Sequence, residues 1–259
     1  MMHKWMSLGI VSLLFLTASA FAQSELCIPQ FLDGVAGPFQ YRTTLVIQNQ
    51  EQNQATVQFQ FYDSNGLPMQ QFMMNRRNGS GGQGPVGPNG QFNPAPVQNR
   101  AAVGYRSAGE GGLQSGFVMI RSQDRIRAHA QLQLFDHAGN ILSETNVVPG
   151  APFRQGSFYA DRSDGAGIGL ALTNPADNQA VVVTLEIMAE DDVTVLGTAQ
   201  VTLGPHAQIA QYIFELFPNI LTDDIGYIRI TSSNPVCALV LHLRGFSMNQ
   251  IPVVIEDPD

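Results

Sequence analysis

Lysine is all but missing from this chain: Lys4 is the only one in 259 residues, and arginine supplies the other 12 basic side chains. Tryptophan occurs once, as Trp5, and cysteine twice, as Cys27 and Cys237. Charged residues reach only 13%, against 44% apolar ones, and acids outnumber bases 21 to 13. Each shortage excludes something. So little charge rules out a long coiled coil, and so much apolar content rules out a disordered chain. A net charge of −8 argues against a nucleic-acid partner, whose phosphates ask for a basic face. Helical periodicity is missing too. Beyond the first residues no stretch keeps it for three turns, and the best candidate, Tyr212 to Phe217 before Pro218, allows one or two.

What is present begins with a leader. Lys4 precedes an apolar run from Leu8 to Leu16, followed by small residues ending in Ala20-Phe21-Ala22. A positive start, a short apolar stretch and an A-x-A site predict a signal peptide over residues 1–22, with cleavage before Gln23. The run is shorter than the roughly 20 residues of a membrane-spanning helix, so no transmembrane segment is expected. Ser24-Glu25-Leu26 before Cys27 is wrong for lipidation, which uses small residues there. The expected location is secreted or periplasmic. After cleavage, 12 arginines face 21 acids, and the net charge becomes −9. An oxidising compartment permits a disulfide between Cys27 and Cys237; the alternative is two separate buried thiols.

The chain also repeats itself. LVIQNQEQNQATV, around Leu45, matches LALTNPADNQAVV, around Leu170, at a shift of 125 that aligns Asn49 with Asn174. GFVMIRSQDRIRA from Gly116 matches GYIRITSSNPVCA from Gly226 at a shift of 110. The first copy therefore carries about 15 extra residues between its blocks, and residues 75–99, dense in Gly, Pro, Asn and Gln, supply them. That composition predicts a long mobile loop. At these shifts Phe59 faces Thr184 and Leu132 faces His242. A slip of one residue in each strand would restore Phe59 to Leu185 and Leu132 to Leu241.

Within each copy the period is two. Val57, Phe59 and Phe61 alternate with Gln58, Gln60 and Tyr62, and Val181, Val183, Leu185 and Ile187 alternate with polar neighbours. Turn signals such as Asp63-Ser64-Asn65-Gly66 separate such runs. This predicts an all-β chain of two tandem antiparallel β-sandwich domains, 23–152 and 153–259. The segments YRTTLVIQNQ, FYDSNG, FELFP and GYIRITSSNPVCALVLHLRG resemble exported bacterial proteins with two Ig-like β-sandwich units. Asn174-Pro175 and Glu215-Leu216-Phe217-Pro218 fit that pattern in the second copy, whereas the first has Asn49-Gln50 and lacks the second motif. The resemblance implies fold and export, and it brings no catalytic residue.

Chemistry is thinly represented. No G-x-S-x-G elbow occurs, and His129, His137, His206 and His242 show no metal-ligand spacing. The acidic clusters Glu190-Asp191-Asp192 and Asp223-Asp224 place neighbours on different sides, unlike an acid/base pair. Asp63-Ser64-Asn65-Gly66 also resembles a fragment of a calcium loop, though hairpin chemistry explains it. No catalytic residue, metal ligand or cofactor is expected.

The loop at 75–99 is the feature a sandwich does not require. It reads either as a partner contact, through Arg76, Arg77, Phe92 and the flanking Arg100, or as a neutral insertion. It also holds the sequon Asn78-Gly79-Ser80. Charge divides unevenly: through residue 150 eight arginines balance eight acids, while from 151 onward four face 13, net −9. That excess reads as solubility or as an acidic face for a basic partner. The resulting expectation is a non-enzymatic structural or adhesive module with a protein or glycan partner at the cell surface. A carbohydrate-binding protein is the alternative, with Tyr62 and Phe92 as its aromatic candidates, and a hydrolase with a loop-built site comes third.

Overall fold

A computed structural model describes residues 24–77, 84–161, 165–189, 191, 193–220 and 226–256. The expected leader, the sequon and Asp223-Asp224 lie outside them. The alternating runs become strands. In the first half these are β1 (Ser24–Ala36), β2 (Phe39–Asn49), β3 (Val57–Asp63), β4 (Met73–Arg76), β5 (Gly84–Pro85) and β6 (Gln91–Phe92). They continue as β7 (Ala102–Ser107), β8 (Gln114–Ser122), β9 (Ile126–Phe135) and β10 (Ile141–Val147). The second half holds β11 (Phe153–Ala160), β12 (Gly167–Thr173), β13 (Val181–Met188), β14 (Val195–Leu203) and β15 (Gln208–Tyr212). After the one-turn helix α1 (Ile213–Leu216) come β16 (Gly226–Arg244), β17 (Ser247–Ile251) and β18 (Val254–Ile255). The helix is the short turn expected before Pro218, and the Glu215 carboxylate accepts the Tyr212 N–H at its start.

The named strands pair antiparallel in two sheets. In the first, β2 lies between β7 and β9, β9 also pairs β10, and β8 lies between β1 and β3. In the second, β12 lies between β15 and β16, and β16 also pairs β17, β11 and β13. The order recurs, with the long β16 standing for both β8 and β9. Its pairing with β13 ends at Ser232 and that with β12 begins at Cys237, so it changes partners around Asn234-Pro235. Proline has no N–H to give either ladder, which suits it to that position. In the first half the same point is the gap between Ser122 and Ile126.

Register decides the alignment of the copies. Phe59 pairs with Ile120 and Leu185 with Ile230, so Phe59 corresponds to Leu185, as the one-residue slip anticipates. The second slip is absent. Leu132 pairs with Thr43 and His242 with Ile168, which leaves His242, not Leu241, at the place of Leu132. The extra residue sits in the turn after β12. Asn49 Nδ2 reaches the carbonyls of Asn53, Val97 and Gln98, while Asn174 Nδ2 reaches those of Gln179, Leu203 and Gly204. Gln179 thus takes the role of Asn53, one residue away from its match by identity.

Both asparagines are buried, and each Oδ1 accepts a backbone N–H two residues on. Each side chain therefore replaces backbone partners where the chain turns away from a ladder.

The loop at 75–99 departs from expectation. Among its described residues, Val86, Phe92 and Val97 are buried. Phe92 stacks on Phe59 with ring centroids 5.9 Å apart. Ala55 and Val97 exchange backbone hydrogen bonds of 2.9 and 2.8 Å. Composition suggested that this stretch has little to bury, yet three well-placed apolar side chains are enough to make it a cover for β3. Phe92→Ala is expected to cost about 3–5 kcal/mol in denaturant unfolding. A loss under about 1 kcal/mol would return the segment to a neutral insertion.

Candidate functional site

Side chains more than a hundred residues apart meet where the halves pack. Ala171 and Leu239 of the second half enter the first core. The turn after β3 presses against Pro205-His206: the Gln208 N–H donates to Ser64 O at 3.1 Å, and Gly66 has a φ of +83° with no room for a side chain. Asp63 Oδ1 accepts the N–H groups of Asn65 and Leu67, so hairpin chemistry accounts for this turn. Gln208 Nε2 donates to Pro29 O and to Gln30 Oε1. Beside them Tyr62 stacks on His206, with ring centroids 4.0 Å apart. Asp177 takes His206 Nε2–H at 3.2 Å, and Arg121 pairs with Glu25 at 2.9 Å.

The two cysteines meet in this seam. Cys27 and Cys237 share a small buried cluster with Tyr62, Phe117 and Met119, and both are free thiols. Cys27 Sγ lies 3.3 Å from Thr173 Oγ1. Hydrogen bonding with Cys27, and then burial, hold the Cys237 thiol well above its ordinary value. Whichever of the two sequence readings holds, the cysteines are buried neighbours and not separate.

Burial pushes the His206 imidazole below its ordinary value, and Asp177 only partly restores it. Asp177 is 76% exposed, so water screens its pull. Nδ1 is buried without a partner, and protonating it would bury an unpaired N–H. A histidine with a lowered folded pKa binds protons more readily in the unfolded chain. Its contribution to stability is whole above about pH 6.5 and drains away as pH falls below that value. Thermal melts from pH 8 to 5 are expected to show a falling Tm that His206→Gln makes shallower. Parallel curves would remove His206 from the acid response.

An open cleft of about 480 Å³ lies along the same junction. Leu32, Leu132 and Leu134 form one wall, and Leu170, Leu239, Leu241 and Leu243 the other. Gly169 lines it too, and a Cβ there would come within 3.2 Å of Leu243 Cδ1. Tyr41, Tyr212, Glu215 and Phe246 stand at its polar and aromatic edge. Tyr212 and Phe214, both exposed, stack with centroids 5.0 Å apart. An apolar body with a few polar groups at its rim, of this size, is the usual form of a small-molecule site.

The residues proposed from the loop do not form one surface. Phe92 is 5% exposed and belongs to the core, so it cannot meet a partner. Arg76 and Arg77 lie at the end of β4, while Arg100 is in a separate turn, its N–H bonded to Glu51 O. Tyr62, the other aromatic candidate, is buried against His206. Among the described residues the exposed aromatics are instead Tyr159, Tyr212, Phe214 and Phe246. Three of these lie in the segments around α1 and the turn after β16. The FELFP motif was the one available hint, and periodicity cannot say that it faces a cleft.

Among the described residues, no three His, Cys, Asp or Glu side chains are grouped to hold a metal ion, and no helix is long and apolar enough to cross a membrane. No protein-family model matches the chain, and neither a characterised protein nor a solved structure shows significant similarity to it.

Proposed function

We propose that the protein is an exported, non-enzymatic structural or adhesive module of the bacterial cell envelope or extracellular space, built from two tandem Ig-like β-sandwich units. The observation that carries this reading is the seam. A turn fitted without clearance at Gly66, the buried Gln208 bonds and the Tyr62–His206 stack pack the two halves closely together. Units linked only through a small polar interface move relative to each other by default, so a close-fitted seam suits a spacer or a rigid presenter of surfaces. The recurring strand order supports a duplication, with units at 23–152 and 153–259. Cell fractionation with intact-mass analysis tests export: a mature chain starting at Gln23 is expected outside the cytoplasm. Retention on envelope or glycan fractions tests adhesion, and a cytoplasmic chain with residues 1–22 intact would overturn the reading.

A carbohydrate-binding protein is the second reading, favoured by the exposed Tyr212–Phe214 stack beside the cleft. Aromatic faces can carry the apolar sides of sugar rings while Gln211 and Glu215 bond hydroxyls. Under it, Tyr212→Ala and Phe214→Ala abolish glycan retention and leave the fold intact.

A further inference from the structure

The outer face of the first half carries an arrangement that neither the seam nor the cleft uses. Across β4, β7 and β2, Arg106 pairs with both Asn75 and Thr44, Arg42 lies two residues before Thr44, and Arg77 lies two residues after Asn75. The three arginines therefore step diagonally over one face of the sheet. Arg77 lies across Gly104, with its Cδ 3.7 Å from where a Cβ would stand. The guanidinium carbons of Arg42 and Arg106 sit 5.2 and 5.9 Å from the centroid of one ring, Phe135.

Among the described residues, these cations have no carboxylate in direct contact: none of the three makes a salt bridge, and Arg42 Nε is buried with no hydrogen-bond partner there. Burial lowers the pKa of Arg106, with Arg77 and Arg42 adding to the effect and Glu144 opposing it. Glu144 is engaged by Gln133 Nε2, and one oxygen of Asp33, the carboxylate near Arg42, accepts the Gly109 N–H. Like charges gathered and partly desolvated are costly, and an incoming oxyanion offsets that cost with forked, charge-assisted hydrogen bonds.

We propose that Arg42 and Arg106, over Phe135, and Arg77, one diagonal step beyond Arg106, bind the oxyanions of a glycan, a sugar chain carrying carboxylate or sulfate groups. Gln40 and Gln131 lie half-buried on the same face, where their amides can meet sugar hydroxyls. The net charge of −8 repels polyanions at long range. A chain with one carboxylate per sugar, as in polygalacturonate, is less densely charged than DNA, with about one charge per 1.7 Å, and meets less of that repulsion. This assignment deepens the adhesive reading and rests on it, because it names the partner's chemistry.

The test measures binding of the protein to immobilised polygalacturonate, dextran sulfate and neutral dextran at low salt. Retention is expected on an acidic matrix and not on the neutral one, with the matrix that retains it distinguishing carboxylate from sulfate. Arg77→Gln and Arg106→Gln are each expected to weaken binding roughly tenfold, the worth of one charge-assisted hydrogen bond. Arg154→Gln, an exposed change in the second half, leaves binding unchanged. Arg106→Lys recovers only part of the loss, because it keeps the charge without the fork. Arg77 is exposed, so its variant keeps the fold and decides the matter if Arg106→Gln unfolds. Equal binding by wild type and Arg77→Gln overturns the site, as does stronger uptake by anionic lipid vesicles than by acidic glycans. If the wild type and Arg77→Gln hold equally to envelope fractions, the site fails alone. If the wild type binds no envelope or glycan fraction, the adhesive reading fails with it.

Discussion

Replacing Asn174 with alanine should lower unfolding stability by about 3 kcal/mol or more, and Asn49→Ala should do the same in the first half. Each asparagine is almost wholly buried, and its Nδ2 serves three backbone carbonyls while its Oδ1 takes one N–H. Truncation leaves those backbone groups without partners and admits little water, at about 1–3 kcal/mol for each group left unsatisfied. For a chain of this size, 3 kcal/mol corresponds to a Tm drop of roughly 10 °C. Asp would be a poor substitute, because it cannot donate to the carbonyls. Denaturant titrations of both variants check the claim. Losses under about 1 kcal/mol would mean that the turns hold themselves, and that the matched asparagines carry no structural weight. Unequal losses would show that the two turns, which differ by one residue in length, are not mechanically equivalent.

Gly66→Val should separate the two halves. The φ of +83° already disfavours a β-branched residue there, and its Cβ would fall 2.3 Å from Pro205 O, a backbone atom that cannot swing aside. Relief requires the turn after β3 to withdraw from the other half, loosening the Gln208 N–H bond to Ser64 O and the Tyr62–His206 stack. The expected cost is about 3 kcal/mol or more. Calorimetry should then show two transitions where one is expected for the wild type, with proteolysis faster in the connection near Gly150. A single unshifted transition would show that the seam does not depend on this close approach. Gly37→Val is the control, because that glycine also has a positive φ but open space around it.

Much of the fold was legible. Alternation announced the strands because side-chain direction reverses at every residue, whatever lies above the sheet. It said less about which faces stay wet. Gln60 and Tyr62 alternate with the apolar residues of β3, yet both are buried too, Gln60 bonding to Asn89 O and Tyr62 lying under His206. Identity also misplaced the second copy by one residue at Asn178, since backbone partners and not residue names define the register. The loop misled for a related reason. An average over residues 75–99 hides three apolar side chains whose positions matter more than their number.

The sequence alone determined the all-β character, the duplicated asparagines and the uneven charge, all of which are local or additive properties. The tertiary structure decided what meets what. It set Cys27 beside Cys237, Tyr62 on His206, seven leucines from both halves around one cleft, and two arginines over Phe135. These meetings depend on how two sheets dock and how far each strand slides. Both are fixed by packing summed over many residues, and no short stretch of chain encodes them.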